Sequence, residues 1–204
     1  MIEDLKEEVY LYNLLRLLFL KEPAREFIMD MAKIKFFNDE EDDEVVYGLK
    51  LMAAAVNNNL FRLDEYLADL SLEYTRLFIG PKNPPAVPFA SFYLSESQSL
   101  MTEDTIEVRK RYLEAGIAVR NLYRMPDDHL GIELEFMYYL TQKIVDDFEN
   151  GYRQEASRFL ELRDDFLKEH MRLWVPIFAE RVLEHTKEDF YKGAAYILKG
   201  VIKS

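Results

Sequence analysis

Apolar positions recur every three or four residues along almost the whole chain, and no alternating β-branched run interrupts them, so the pattern predicts helices throughout. The first helix runs from about Glu3 to Leu20 and stops before Pro23, whose ring fixes φ and lacks an N–H. A short helix over about Ala24–Lys33 follows. The third, about Glu44–Val56, carries Val45, Leu49, Met52 and Val56 at helical spacing and ends in the turn-prone triplet Asn57-Asn58-Asn59. The fourth, about Leu63–Phe78, stops at Gly80-Pro81. Four of the seven prolines fall between Pro81 and Pro88, so PKNPPAVP reads as a stiff, extended connection, part of a Pro-rich stretch at about 80–94.

Beyond that stretch, Ser95–Gln98 and Asp104–Glu107 have capping-box spacing, which predicts a short turn and then a helix over about Thr105–Ala115 closing at Gly116. Asp127 or Asp128 is positioned to cap a helix over about His129–Glu149. Its stripe of Leu130, Leu134, Met137, Ile144, Val145 and Phe148 is joined by a second face of Ile132, Phe136, Tyr139 and Leu140, which marks it as central. After Gly151 a long helical stretch, about Arg153–Val182, must kink or split at Pro176. A last helix spans about Asp189–Ile202. The reading is all-α, a single irregular domain over 1–204 with about eight or nine helices rather than a symmetric bundle.

Composition narrows the function. A 204-residue chain with 49% apolar and 14% aromatic residues buries a real core, and 26 basic against 38 acidic side chains leave a net charge of −12. That balance opposes nucleic-acid binding, which needs a basic surface. Half of the net charge lies in the six consecutive acids Asp39–Glu44, a run that self-repulsion keeps solvated. The absence of cysteine excludes disulfides, thiolate metal sites and a cysteine nucleophile. The acidic N-terminal residues are unlike a secretory leader, and the apolar run Val9–Leu20 is too short to cross a bilayer, so the expectation is a cytoplasmic chain with no stable membrane insertion.

The densest ionisable cluster is Pro126-Asp127-Asp128-His129 with Glu133 and Glu135. Asp128, His129 and Glu133 have the residue types and spacing for part of a divalent-metal site, which gives one reading, a metal-dependent enzyme. The competing reading is an Asp helix cap with an i,i+4 ion pair between His129 and Glu133. Neither HExxH nor a repeated Glu-x-x-His occurs, and GxSxG, GxGxxG and P-loop sequences are missing. No metal or cofactor is therefore expected. His170 and Trp174, four apart, read as core packing; Arg109-Lys110-Arg111 reads as a solvated basic face; His185 has no evident partner. A helical protein–protein adaptor, with the proline stretch itself as the ligand of a partner, is a further alternative.

Three blocks carry a resemblance. EYTRLFIGP (73–81), followed by Pro85, Pro88, Ser91 and Tyr93, MPDDHLGIELEFM (125–137) and HMRLWVPIFAERV (170–182) resemble, in this order, the signatures of the TorD/NarJ-type chaperones of redox-enzyme maturation. They cover about Leu72–Phe178. The resemblance implies an all-helical cytoplasmic chaperone, not an enzyme. Its implied partners are the N-terminal leader, often a twin-arginine signal, or the immature catalytic subunit of a molybdenum-containing oxidoreductase, held while cofactor is inserted. It further implies that Tyr74, Leu77, Phe78, Pro126, Asp128 and His129 contribute to peptide recognition. Leu77 and Phe78 are then expected to meet the apolar part of the peptide, unless they simply pack in the core, and Asp128 the cationic part, with His129 tuning that charge near neutral pH. Where some members of the family carry tryptophans around the Gly-Pro loop, this chain has Phe89, Phe92 and Tyr93, and its only Trp is Trp174.

Overall fold

A computed structural model describes residues 1–34, 43–81, 84–95, 100–101, 103–119 and 125–203. Among these residues there is no strand, and the helices are α1 (Ile2–Leu20), α2 (Arg25–Met31), α3 (Glu44–Asn59), α4 (Leu63–Tyr74), α5 (Ala90–Leu94), α6 (Glu103–Glu114), α7 (Leu130–Glu149), α8 (Arg153–Phe166), α9 (Arg172–His185) and α10 (Asp189–Lys203). Eight of them have twelve residues or more, and α2 and α5 are short. The all-α reading therefore holds.

The chain forms two compact units, each assembled from separated stretches: Met1–Leu20 with Pro88–Val175, and Lys21–Val87 with Pro176–Ser204. In the first, α7 is the central element, packed by α1 and by α8. The doubly apolar pattern that marked it as central is matched by burial of Leu130, Leu134, Phe136, Met137, Leu140, Ile144 and Val145. Gly131 lets α7 approach the end of α1, since a Cβ there would meet the Leu20 side chain at 2.6 Å.

In the second unit α3 packs against α10, whose buried face includes Phe190, Ala194, Ile197, Leu198 and Val201. The backbones touch. A Cβ on Gly48 would lie 2.5 Å from the Gly193 carbonyl oxygen, and one on Gly193 would lie 2.5 Å from that of Gly48. Asp43 caps α3 by accepting from the backbone N–H groups of Val45 (2.7 Å) and Val46 (3.2 Å). Residues 39–42 of the acidic run, Glu96–Gln98 of the expected Ser95 turn, and Lys82 and Asn83 of the proline stretch lie outside the described residues.

Several local expectations are corrected. Helix α3 runs through the asparagine triplet because Asn57 and Asn59 donate to the carbonyls of Ala53 (2.9 Å) and Ala55 (2.8 Å), engaging carbonyls of its last turns. The short α5, inside the Pro-rich stretch, carried no helical signal. The long C-terminal helix is interrupted before Pro176, by a π turn at Leu167–Met171, and Pro176 then sits inside α9. A second π turn, Thr75–Ile79, closes α4, and Gly80 follows at φ 50°, a conformation that favours glycine. Finally, the helix expected from His129 is capped by His129 itself, not by Asp127 or Asp128.

Candidate functional site

The six residues expected to recognise a peptide divide evenly between the two units: Pro126, Asp128 and His129 in the first, Tyr74, Leu77 and Phe78 in the second. In the first, the 126–129 segment is gripped from three sides. Asp128 is fully buried; its carboxylate accepts the Ser91 N–H at 2.8 Å and the Thr105 hydroxyl at 3.0 Å, and its carbonyl accepts the Ala90 N–H at 3.0 Å. One residue earlier, the buried Asp127 carboxylate takes the Arg109 guanidinium at 2.6 Å, and the Tyr112 hydroxyl donates to the Asp127 carbonyl at 2.8 Å. Phe89 and His129 form a single bridge, with their rings 5.0 Å apart, and the Leu130 N–H bonds the Pro88 carbonyl at 2.9 Å. The aspartates therefore tie the start of α5 and the face of α6 to the entry of α7.

His129 sits at the N-cap of α7, where Nδ1 accepts the Gly131 N–H at 3.1 Å. Burial of the ring disfavours the imidazolium and pushes its pKa down to about 4, against a weaker opposing pull from Asp128. A ring held at about 4 is neutral near pH 7, which argues against the charge-tuning role expected there. Pro126 is half-buried beside these groups.

Glu133, fully buried one turn into α7, makes neither the metal site nor the ion pair expected with His129. It accepts His170 Nε2 at 2.7 Å and the Trp174 indole N–H at 3.2 Å. Burial pushes the Glu133 carboxyl up, and its two partners offset this only in part. Burial disfavours the His170 imidazolium, yet the carboxylate beside it outweighs that and raises its pKa. Tyr93 stacks on Trp174 at 5.5 Å and Phe166 on His170 at 4.9 Å. The His170–Trp174 pair is thus a buried polar hub rather than plain packing. With Asp128, His129 Nδ1 and Glu133 each engaged elsewhere, the three do not converge on a metal. Among the described residues no group of three or more His, Asp or Glu is arranged to hold one.

The basic island is not simply a solvated face: besides the Arg109 pair, Arg111 bridges to Glu169 at 2.9 Å. His185 Nδ1 meets the Arg181 carbonyl oxygen at 2.8 Å. Both were illegible because the partners are distant in sequence or are backbone atoms.

In the second unit, Tyr74, Leu77 and Phe78 are buried, Leu77 completely. Phe78 lies 5.1 Å from Tyr74, 5.8 Å from Phe178 and 5.9 Å from Tyr191, ring centre to ring centre. The π turn carries Leu77 and Phe78, and it is braced by a bond from the Gly80 N–H to the Thr75 carbonyl at 2.7 Å and from the Ala86 N–H to the Leu77 carbonyl at 3.0 Å. Arg181 donates to the Pro85 carbonyl at 2.7 Å, and Arg76 joins Glu73 (2.7 Å) to the His185 carbonyl (2.6 Å). Leu72 in α4 and Ile79 in the π turn are exposed, and the sequence did not single them out.

Comparison with known proteins gives a consistent result. Residues 38–180 match the family described as the nitrate reductase delta subunit. A protein named chaperone protein TorD from Vibrio cholerae (strain O395) is 27% identical over 99% of this chain and 90% of its own length. The proteins of that name from Vibrio parahaemolyticus and Aliivibrio fischeri are 27% and 28% identical over 78% and 66% of this chain, covering 72% and 61% of their own lengths. The matched span takes in the Gly80-Pro81 end of the second π turn, the clasped aspartates and the Glu133–His170–Trp174 hub, and over that span the chain belongs to the nitrate reductase delta subunit family, the TorD/NarJ family.

Proposed function

We propose that this protein is a cytoplasmic maturation chaperone, not an enzyme, that binds the leader or the immature catalytic subunit of a molybdenum-containing oxidoreductase while its cofactor is inserted. The observation that carries this reading is the likeness to proteins named chaperone protein TorD along nearly the whole chain. The leader is a cationic segment followed by an apolar one, and an acidic protein built of aromatic-rich helices is suited to such a partner. No cofactor of its own enters this role, and no helix among the described residues is long and apolar enough to cross a membrane.

Within this reading Tyr74, Leu77 and Phe78 in one unit, and Pro126, Asp128 and His129 in the other, contribute to recognition, each set by shaping the surface of its own unit. Five of them are buried, so they act through the exposed residues they position. Calorimetric titration with a synthetic twin-arginine leader, against a scrambled peptide of identical composition, tests the function. Saturable binding to the leader alone, at a Kd of about 1 μM or tighter, is expected. Equal binding of both peptides, or of neither, refutes leader recognition.

A further inference from the structure

The geometry points to a cavity in the first unit, walled by α6, α7 and the segments 117–119 and Met125, as the receptor for the apolar stretch of a cationic client peptide; this rests on the leader-binding reading above. The cavity has a volume of about 480 Å³, room for a few bulky side chains. Its walls include Tyr112, Ala118, Met125, Ile132 and Phe136, which are apolar apart from the Tyr112 hydroxyl, and that hydroxyl is spent on the Asp127 carbonyl. Met125 brings an unbranched, polarisable side chain able to repack around different apolar groups.

The cavity also gives the Pro126–His129 segment its purpose. Met125 immediately precedes Pro126, Ile132 lies on the first turn of α7, and the wall residue Tyr112 is tied to Asp127. The bonds of Asp127 and Asp128 to Arg109, Ser91 and Thr105 therefore fix the cavity wall, and those two carboxylates are spent there rather than lining the cavity.

Charge selects the occupant. Glu135 is the charged side chain among the described lining residues; it is 54% exposed and paired to Arg16 at 3.1 Å. A cationic flank on the guest can share or take over that carboxylate. An anionic amphiphile would approach against the protein's net charge of −12, and a second copy of this chain would bring another −12 against the first.

The test uses the full chain and two variants that alter different lining elements, Ala118→Trp at an exposed position and Ile132→Lys at a half-buried one, with folding checked by circular dichroism. Nile red, a neutral apolar fluorophore, reports the cavity, and the twin-arginine leader, its scrambled control and laurate are the competitors. Displacement by the leader alone, with its affinity lowered at least about tenfold in each folded variant, supports the assignment. Wild-type leader affinity in both folded variants overturns it and leaves the chaperone reading intact. A leader that fails to bind the wild-type protein at all removes the chaperone reading as well. Displacement by laurate or by the scrambled peptide as readily as by the leader overturns the choice of occupant.

Discussion

His129 occupies a position where a capping acceptor is required and a charge is not tolerated. Its ring accepts the Gly131 N–H through Nδ1, so a proton on that nitrogen would cost the cap as well as the burial of an ion. The folded-state pKa of about 4 lies below the 6.5 of a free imidazole, so above pH 6.5 the residue is neutral in both states and contributes no pH dependence. Between 6.5 and 4 the unfolded chain takes up a proton that the folded chain refuses, and stability falls with pH. By linkage at about 1.4 kcal/mol per pKa unit, the loss reaches about 2–3 kcal/mol by pH 4.5. His129→Asn keeps a capping oxygen and removes the titration. Urea unfolding at pH 7.5 and 4.5 should therefore show a drop about 2–3 kcal/mol smaller in the variant than in the parent protein. His170 and Glu133 act in the opposite sense, since both have raised pKa values and favour the folded state more as the pH falls. They are present in both proteins, so the difference between them isolates His129.

Element boundaries were legible where the signal is local and obscure where it is not. Pro23 after α1 and Gly80 after the second π turn act through their own backbone and a neighbour or two, and the chain could be divided correctly at each. The interruption at Leu167–Met171 could not be placed, because proline announces only that a helix is disturbed. His170, which bonds the Glu133 carboxylate with Trp174 and carries Phe166 stacked on its ring, lies where the loosened turn falls. The approach of α3 to α10 was equally hidden, since it depends on Gly48 and Gly193, 145 positions apart in the chain. At that crossing either backbone leaves no room for a methyl group. Gly48→Ala should lower stability by about 1–3 kcal/mol, read as a fall in Tm of several degrees, despite alanine's better helix propensity. An unchanged or higher Tm would mean that the two helices separate at little cost.

At the scale of the whole molecule the sequence disclosed the class of fold but not its assembly. Periodicity reports which face of a helix is apolar, whereas the joining of Met1–Leu20 to Pro88–Val175 is decided by contacts between stretches far apart in the chain. The candidate site was legible to the same degree. Asp127, Asp128 and His129 after Pro126 stood out, with Glu133 and Glu135, as an ionisable cluster at a helix entry, yet the partners of Glu133 lie 37 and 41 residues away, and the cavity wall has no motif. Net charge, by contrast, needs no structure, and it carries a prediction of its own. Many of the surface acids are paired, as Glu8 is to Arg163, so the field a distant peptide feels comes from the uncompensated −12. That field should speed encounter with a cationic leader and fade once the Debye length shrinks from about 10 Å at 0.1 M salt to a few ångströms near 1 M. Stopped-flow association of a labelled leader should slow about tenfold between 0.05 and 0.5 M salt, while its dissociation rate changes by less than about threefold. Changing Asp39, Glu40, Glu41 and Asp42 to their amides lowers the net charge to −8 and should flatten the salt dependence without altering dissociation. If salt instead accelerates release, the charge acts within the bound complex, and pairing of the leader's cations with specific carboxylates such as Glu135 would replace long-range steering as the source of the electrostatic contribution.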